Sequence, residues 1–418
     1  MKTLQTEQSP SNKGRGVLID RVFKAFTYRD FRVMWMGACT STIGSWMQTV
    51  AQAWLVYTLS NDPFYLGLDA FLGQAPIILL SLVGGVMADR RDRRTMLLMS
   101  QYIQMTSAFI LTALFFFGKV KVWHILLLSF VSGTGQAFGG PAYQALLPTL
   151  VGPGEFANAI AWNSIQFNIA RILGPTIAGI TLAKLNATWC FGLNGISFLA
   201  VIASLYMINV GFVPARSTEP ILTSMKQGIG FIRTKAGLDS LIVLAFCMTA
   251  LAIPLMTFLP VFAREVFNGN ATTYTHLLIF SGCGSIVGAL GVAAFGRLKR
   301  QGAAALMVLI VLGGLIAAFA LSKSIILSGV LIFLSGAALI FVFSMVNSVV
   351  QAITADEMRG RVMSVYNVAF RGGMPLGSLV AGKLIPLFTV SATIAGTGSL
   401  LAALGLYFLL IHRRIAAL

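Results

Sequence analysis

Arg171 and Arg371 stand 200 positions apart, and each lies four residues before a proline, Pro175 or Pro375. Ser164 and Asn168 precede the first arginine at helical spacing, and Ser364 and Asn367 precede the second. On helices, each arginine therefore shares a face with a hydroxyl and a carboxamide. A guanidinium so placed suits an anionic or carbonyl-rich molecule, through charge-assisted hydrogen bonds. The alternative is structural, with each arginine satisfying backbone carbonyls freed at the proline kink. Asp69 is the carboxylate that falls most clearly inside an apolar stretch. Shielded from water, it is suited to carrying a proton reversibly; nearer the surface it would do no more than meet water. Ser41, Ser45, Gln48 and Gln52 recur at helical spacing and form a polar stripe fit to line a cavity.

Nothing here reads as catalysis. His124, His276 and His412 lie far apart, and no HExxH, nucleophile elbow, CxxC pair or GxxxxGK[ST] phosphate loop is present. Cys39, Cys190, Cys247 and Cys283 sit within apolar blocks and read as small packing residues. We therefore expect no catalytic, cofactor-binding or metal-ligating residues. A membrane-embedded enzyme is the rival class.

The elements that must carry these residues follow from composition. The 418 residues are 57% hydrophobic and only 10% charged, and mean hydropathy is +0.83. A soluble fold carries about 25% charged residues, so a chain this apolar cannot cover its own surface with polar groups. Its hydrophobic residues fall into blocks close to the roughly 20 residues that cross a bilayer as helix. Open strands cannot satisfy their backbone in lipid. The fold class expected is thus an all-α membrane protein with twelve transmembrane helices. The blocks are 33–58, 65–87, 95–117, 122–147, 157–184, 188–210, 238–262, 272–295, 302–321, 325–353, 362–387 and 391–411. Gly139-Gly140-Pro141 and Gly174-Pro175 are expected to break the fourth and fifth. Residues 1–32 read as a disordered tail ending in an interfacial approach, Tyr28 to Arg32. They lack the apolar core and small-residue cleavage site of a signal peptide.

The formal charge of +17 raises the question of nucleic acid, and its distribution answers it. With both termini on one side, 22 of the 30 Lys and Arg fall in segments facing that side and six in segments facing the other. Such a bias is what positive-inside insertion produces, so both termini are expected in the cytoplasm. Anionic lipid is then the partner of the basic charge, and nucleic acid is not.

The longest internal polar segment, 211–237, separates six blocks from six, and the two sets repeat. Gly84-Gly85-Val-Met-Ala-Asp89-Arg90 ends the second block as Gly291-Val-Ala-Ala-Phe-Gly296-Arg297 ends the eighth. Ser132-Gly133 in the fourth is matched by Ser335-Gly336 in the tenth, and the Ser, Arg and Pro of the fifth recur in the eleventh. The domains expected are a tail (1–32), a six-helix half (33–210), a cytoplasmic linker with an interfacial helix (211–237) and a second, pseudo-symmetric half (238–418). Parallel halves of this kind build secondary transporters, with the substrate site near the midplane between them.

The run Gly85-Val-Met-Ala-Asp89-Arg90-Arg91-Asp92-Arg93-Arg94 resembles the loop between helices two and three of the major facilitator superfamily, with Asp92 in place of that pattern's second glycine. That replacement is similar to the bacterial exporter branch containing the enterobactin exporter and macrolide-efflux proteins. Tyr28 to Arg32, Gly44 to Gln48, Pro141-Ala142, Arg171 to Pro175 and Arg359 to Met363 extend the resemblance along nearly the whole chain. The resemblance implies a gating role for Gly85, Asp89, Arg90, Arg93 and Arg94, with Asp89 drawn to the positive end of a helix dipole. A basic loop that only fixes topology is the plainer reading. Ala170-x-x-x-Gly174-Pro175-x-x-Ala178-Gly179 is similar to the family's antiporter motif, which implies export. Where the family's fourth-helix motif places an arginine, this chain has Ser129, so the coupling route attached to that arginine is not implied.

The function expected is secondary active transport, proton-coupled export of an amphiphilic small molecule, siderophore-like or drug-like, by alternating access. Uptake by the same fold is the alternative. A monomer in the bacterial inner membrane is expected, with protons as coupling ion. Substrate or coupling residues are then Asp69, Gln48, Gln52, Asn168, Arg171, Asn367 and Arg371, and Gly174, Pro175 and Pro375 shape the helix kinks.

Overall fold

The computed structural model describes residues 22–152, 154–209, 221–235, 237–295, 300–411 and 413–416. It is helical throughout, with no strand among the described residues. The long helices are α1 (Arg29–Ser60), α2 (Pro63–Arg90), α3 (Arg93–Phe116), α4 (Val122–Leu146), α5 (Phe156–Lys184) and α6 (Ala187–Met207). After α7 (Ile221–Thr234) come α8 (Leu238–Thr257), α9 (Ala271–Phe295), α10 (Gln301–Leu321), α11 (Ile325–Ile353), α12 (Asp356–Leu384) and α13 (Val390–Leu406). Each apolar block of the sequence coincides with one of these helices.

The junctions are written locally. Asn61 ends α1 in the left-handed region (φ 50°), and Asp62 then caps α2, accepting from the Phe64 amide at 2.9 Å ahead of Pro63 at the first helical position. Asp92 caps α3 in the same way, accepting from the Arg94 and Thr95 amides. The aspartate that stands where the related loop pattern has glycine thus starts a helix.

Two expectations are corrected. Arg29 to Arg32, expected at the end of the 1–32 tail, form the opening turn of α1, with Asp30 favouring a helix N-terminus. The proline motifs at 139–141 and 174–175 do not break their helices, which run through Pro141 and Pro175. Neighbouring helices close enough to compensate the backbone make this tolerable. Gly174 meets Trp46 and Ile43 of α1, and Gly139 meets Ser100 of α3.

Eight helical segments are long and apolar enough to cross a bilayer, and the chain is a multi-pass membrane protein. Besides the short α7, those outside the eight are α1, α4, α5 and α12. These four also supply much of the polar wall of the cavity described below, which explains their lower hydropathy.

Small residues set the packing, as expected where lipid provides no hydrophobic drive between helices. A Cβ on Gly133 of α4 would collide with the Gly73 carbonyl of α2, and one on Gly336 of α11 with the Ser281 carbonyl of α9. The pair α2–α4 and the pair α9–α11 are thus built alike, and α1–α5 corresponds likewise to α8–α12. The first six helices meet the last six along α2–α12, where Gly67 faces the Ser378 carbonyl, and along α5–α9, where Gly179 faces Thr275. Pro175 and Pro375 are buried. The linker helix α7 lies on α12, with Gly228 against the Arg361 carbonyl.

Gly336→Leu is therefore expected to abolish the monodisperse folded fraction in size-exclusion chromatography, because backbone rather than a movable side chain blocks the new group. Gly314→Ala, with nothing within 4 Å, should leave that fraction intact. Equal yields for the two variants would refute the close-contact account.

Candidate functional site

A cavity of about 1430 Å³ lies between the first six helices and α12. That exceeds the several hundred Å³ of a typical small-molecule pocket. Its wall runs from Thr49, Gln74 and Arg371 inside the bundle to Met87, Gln144 and Arg361 near the helix ends beside the N-terminal segment. Carboxamides dominate the polar lining: Gln74, Gln101, Gln104, Gln136, Gln144, Asn163, Gln166 and Asn367. No carboxylate is among the described lining residues. The Gln166 amide donates to the Thr42 hydroxyl at 3.1 Å, while its carbonyl, on a side chain 4% exposed, has no protein donor. The Gln101 carbonyl is in the same position. This wall offers cationic donors and neutral acceptors together.

The sequence-predicted residues divide. Arg371 and Asn367 line the cavity, and neither side chain makes a hydrogen bond among the described residues. Their counterparts do not line it. Arg171 is partly buried on α5 without a hydrogen-bond partner among the described residues, and the Asn168 amide is turned back to the Ser164 carbonyl at 2.8 Å. Among the described residues no carbonyl receives either arginine side chain. The stripe on α1 also divides, a correction to the expected single cavity face. Ser41 and Ser45 line the cavity, whereas Gln48 accepts from the Asn194 amide of α6 at 2.6 Å. Gln52 faces α2, where its amide donates to both oxygens of Asp69, at 3.1 and 2.9 Å. The physical reason is that the cavity does not follow α1 along its whole length: beyond Ser45 and Thr49 the same face is met by Asn194 of α6 and Asp69 of α2. Residues in register on an isolated helix meet different partners along its length.

Asp69 closes a small polar triangle. The Ser129 hydroxyl of α4 donates to it, and Gln52 also reaches that hydroxyl at 2.8 Å. Ser129, which occupies the place of the related motif's arginine, is thus Asp69's own partner. The triangle lies outside the cavity lining.

Beyond the cavity lining, at the opposite end of α1, lies a cluster of contacts whose central members, Tyr57 and Glu265, sequence reasoning did not single out. Tyr57, 3% exposed, donates its hydroxyl to Glu265. Arg264 lies over the Tyr57 ring, 5.6 Å from its centroid, and donates to Asn61 Oδ1 at 2.9 Å. Trp54 and Tyr274 stack beneath, with ring centroids 6.3 Å apart. Glu265 and Arg264 project from a π-helical turn, Phe262–Val266, an irregularity common at functional sites. The Tyr57 and Asn61 contacts join the end of α1 to the segment between α8 and α9, and the Trp54–Tyr274 stack joins α1 to α9 itself.

Around the junction of α2 and α3, Gly85, in the last turns of α2, borders the cavity. Arg93 donates to the Ala145 carbonyl at 2.9 Å, and Arg94 donates to the Tyr206 carbonyl at 3.2 Å while lying over the Tyr206 ring. The side chains of Asp89 and Arg90 lie outside the described residues, as do those of Ile221 and Met225, part of the apolar face expected on the linker helix.

Comparison with known proteins agrees with this architecture. A family model described as a transmembrane secretion effector matches residues 22–416. The chain is 22% identical over 390 residues to macrolide efflux protein A of Streptococcus pyogenes, covering 90% of this chain and 94% of that protein. It is 26% identical over 385 residues to the staphyloferrin A transporter of Staphylococcus aureus, covering 89% and 94%. Among solved structures, a POT family transporter in complex with 5-aminolevulinic acid superposes with a TM-score of 0.73 at 13% identity, over 93% of this chain and 96% of that one. The chain is a transporter of the major facilitator type rather than an enzyme, and it belongs to the transmembrane secretion effector family.

Proposed function

We propose that this protein is a proton-driven exporter of amphiphilic small molecules, siderophore-like or drug-like, working by alternating access between two six-helix halves (33–210 and 238–418). The observation that carries the reading is the contrast between the two ends of the bundle. A large cavity with both apolar and carboxamide-rich walls reaches the helix ends beside the N-terminal segment, while the Tyr57–Glu265 and Asn61–Arg264 contacts close the other end. The duplicated packing of α2–α4 and α9–α11 supports twelve crossings in two pseudo-symmetric halves. The Lys and Arg bias supports cytoplasmic termini in a bacterial inner membrane, so the cavity opens to the cytoplasm and loads from it. Relatives named for macrolide efflux and for staphyloferrin A support outward transport of a sizeable organic molecule.

In this reading the chain acts as a monomer surrounded by anionic lipid. Asp69 is the proton carrier, alternately charged and neutral within its triangle with Gln52 and Ser129. Arg371 and Asn367 hold the substrate. Asp89 and its basic neighbours latch the cytoplasmic side in the opposite state.

Cysteine labelling in a background lacking the four native cysteines tests the orientation. Lys119→Cys and Lys323→Cys are expected to react with an impermeant maleimide added to intact cells, whereas Arg413→Cys should react only after lysis. The reverse pattern would turn the cavity outward and remove the case for export.

A further inference from the structure

A second pocket, of about 350 Å³, lies between α11 and α12. Phe343 and Phe370 form part of its wall, edge to face with centroids 4.8 Å apart, and Tyr366 stacks on Phe370 at 5.8 Å. Hydrogen-bonding groups complete it: Ser344, Asn347 and Ser348 on α11, and Asn367 on α12. Asn367 is shared, since it also lines the main cavity, and Arg371 stands one helical turn further along the same face.

We propose that this pocket is an aromatic subsite of the transport cavity, so that the substrate class is an aryl acid: a planar ring in the slot with its carboxylate on Arg371. The volume fits the assignment, because about 150 Å³ is enough to hold benzene and the remainder admits ring substituents. Chemistry fits as well. Aromatic walls favour offset or edge contacts with a ring, while the flanking hydroxyls and amides can bond polar groups on its rim. Side chains at i and i+4 lie about 5–6 Å apart, so Asn367 at the slot and Arg371 beyond it span the reach between a ring and a carboxylate attached to it. Arg371 has no carboxylate partner among the described residues, which leaves its guanidinium able to form a bidentate pair with an incoming one. A cationic amphiphile would meet this same guanidinium unfavourably. The assignment rests on the export reading only in treating the main cavity as the substrate's path.

The test uses purified full-length protein in nanodiscs, with benzoate, succinate and benzylammonium as probes. Wild type is expected to bind benzoate and succinate but not benzylammonium. Ser344→Phe fills the slot and should weaken benzoate at least tenfold while leaving succinate unchanged, and Arg371→Gln should weaken both. A small variant guards against a folding defect. Ser344→Cys in a background without native cysteines should be protected from a methanethiosulfonate reagent by benzoate and not by succinate. Benzoate affinity unaltered in Ser344→Phe, or no protection of Ser344→Cys, would overturn the subsite. Because binding is read without transport, that result would leave the export reading standing, whereas normal binding with no efflux would do the opposite.

Discussion

Asp69→Asn is expected to fold, insert and bind substrate like wild type, yet to lose gradient-driven transport by two orders of magnitude or more. The replacement keeps the shape of the carboxyl group and one oxygen able to accept from Gln52 and Ser129, which hold the native side chain. It removes the ability to bind and release a proton. A structural role for Asp69 predicts a different outcome. Ser129→Ala and Gln52→Leu would then be as harmful as Asp69→Asn, and all three would lower the melting temperature together. In the coupling account, Ser129→Ala retains transport but shifts its pH profile, because one hydrogen bond that favours the charged form is gone. Transport by Asp69→Asn at the wild-type rate under an imposed pH gradient would rule Asp69 out as carrier.

The second large effect is expected at the closed end. The double variant Tyr57→Phe with Glu265→Gln deletes the phenol–carboxylate bond, and Arg264→Leu deletes the contacts with Asn61 and the Tyr57 ring. Charge-assisted bonds of this kind contribute about 1–3 kcal/mol, so each change should shift the balance between closed and open ends by roughly 5- to 150-fold. Solvent lowers the value for Arg264 and Glu265, which are exposed, and puts them toward the smaller figure. Spin labels at Leu59 and Asn270 read the balance directly. The variants should gain a longer-distance population at that end, with unaltered helix content. Identical distance distributions in wild type and variants would show that the clasp does not control the closed state.

These two predictions differ in how far the sequence announced them. Asp69 was legible because a carboxylate inside a long apolar run is costly enough to need a reason. Helix positions were legible for the same physical cause, since lipid demands about 20 apolar residues per crossing whatever their partners. The correspondence of Gly133 and Gly336 was legible from their repetition, although sequence alone could not show that each lies on a neighbouring backbone.

Rotation and tilt were not legible. Arg171 and Arg371 look equivalent in sequence, but only Arg371 lines the cavity. Which face a helix offers depends on the neighbours it meets, not on its own period. The clasp escaped notice for a related reason. Tyr57 and Glu265 are 208 positions apart, and each alone is an ordinary residue near a helix end. The slot between α11 and α12 was equally hidden, because nothing in the sequence pairs Phe343 with Phe370 until the two helices are placed side by side. A search for aromatic and acidic residues near the ends of predicted helices would have offered Tyr57 and Glu265 as candidates, without pairing them.

The central claim, export from a cytoplasmic cavity driven by protons, is tested most directly by comparative metabolite profiling of culture medium. Cells expressing the wild-type chain are compared with cells expressing Asp69→Asn at equal membrane abundance, with and without a protonophore. The account predicts at least one organic compound enriched in the medium of wild-type cells and retained inside Asp69→Asn cells, with the difference collapsing when the protonophore is added. A compound depleted from the medium by wild-type cells, or an enrichment that survives the protonophore and is equal in Asp69→Asn cells, would contradict it.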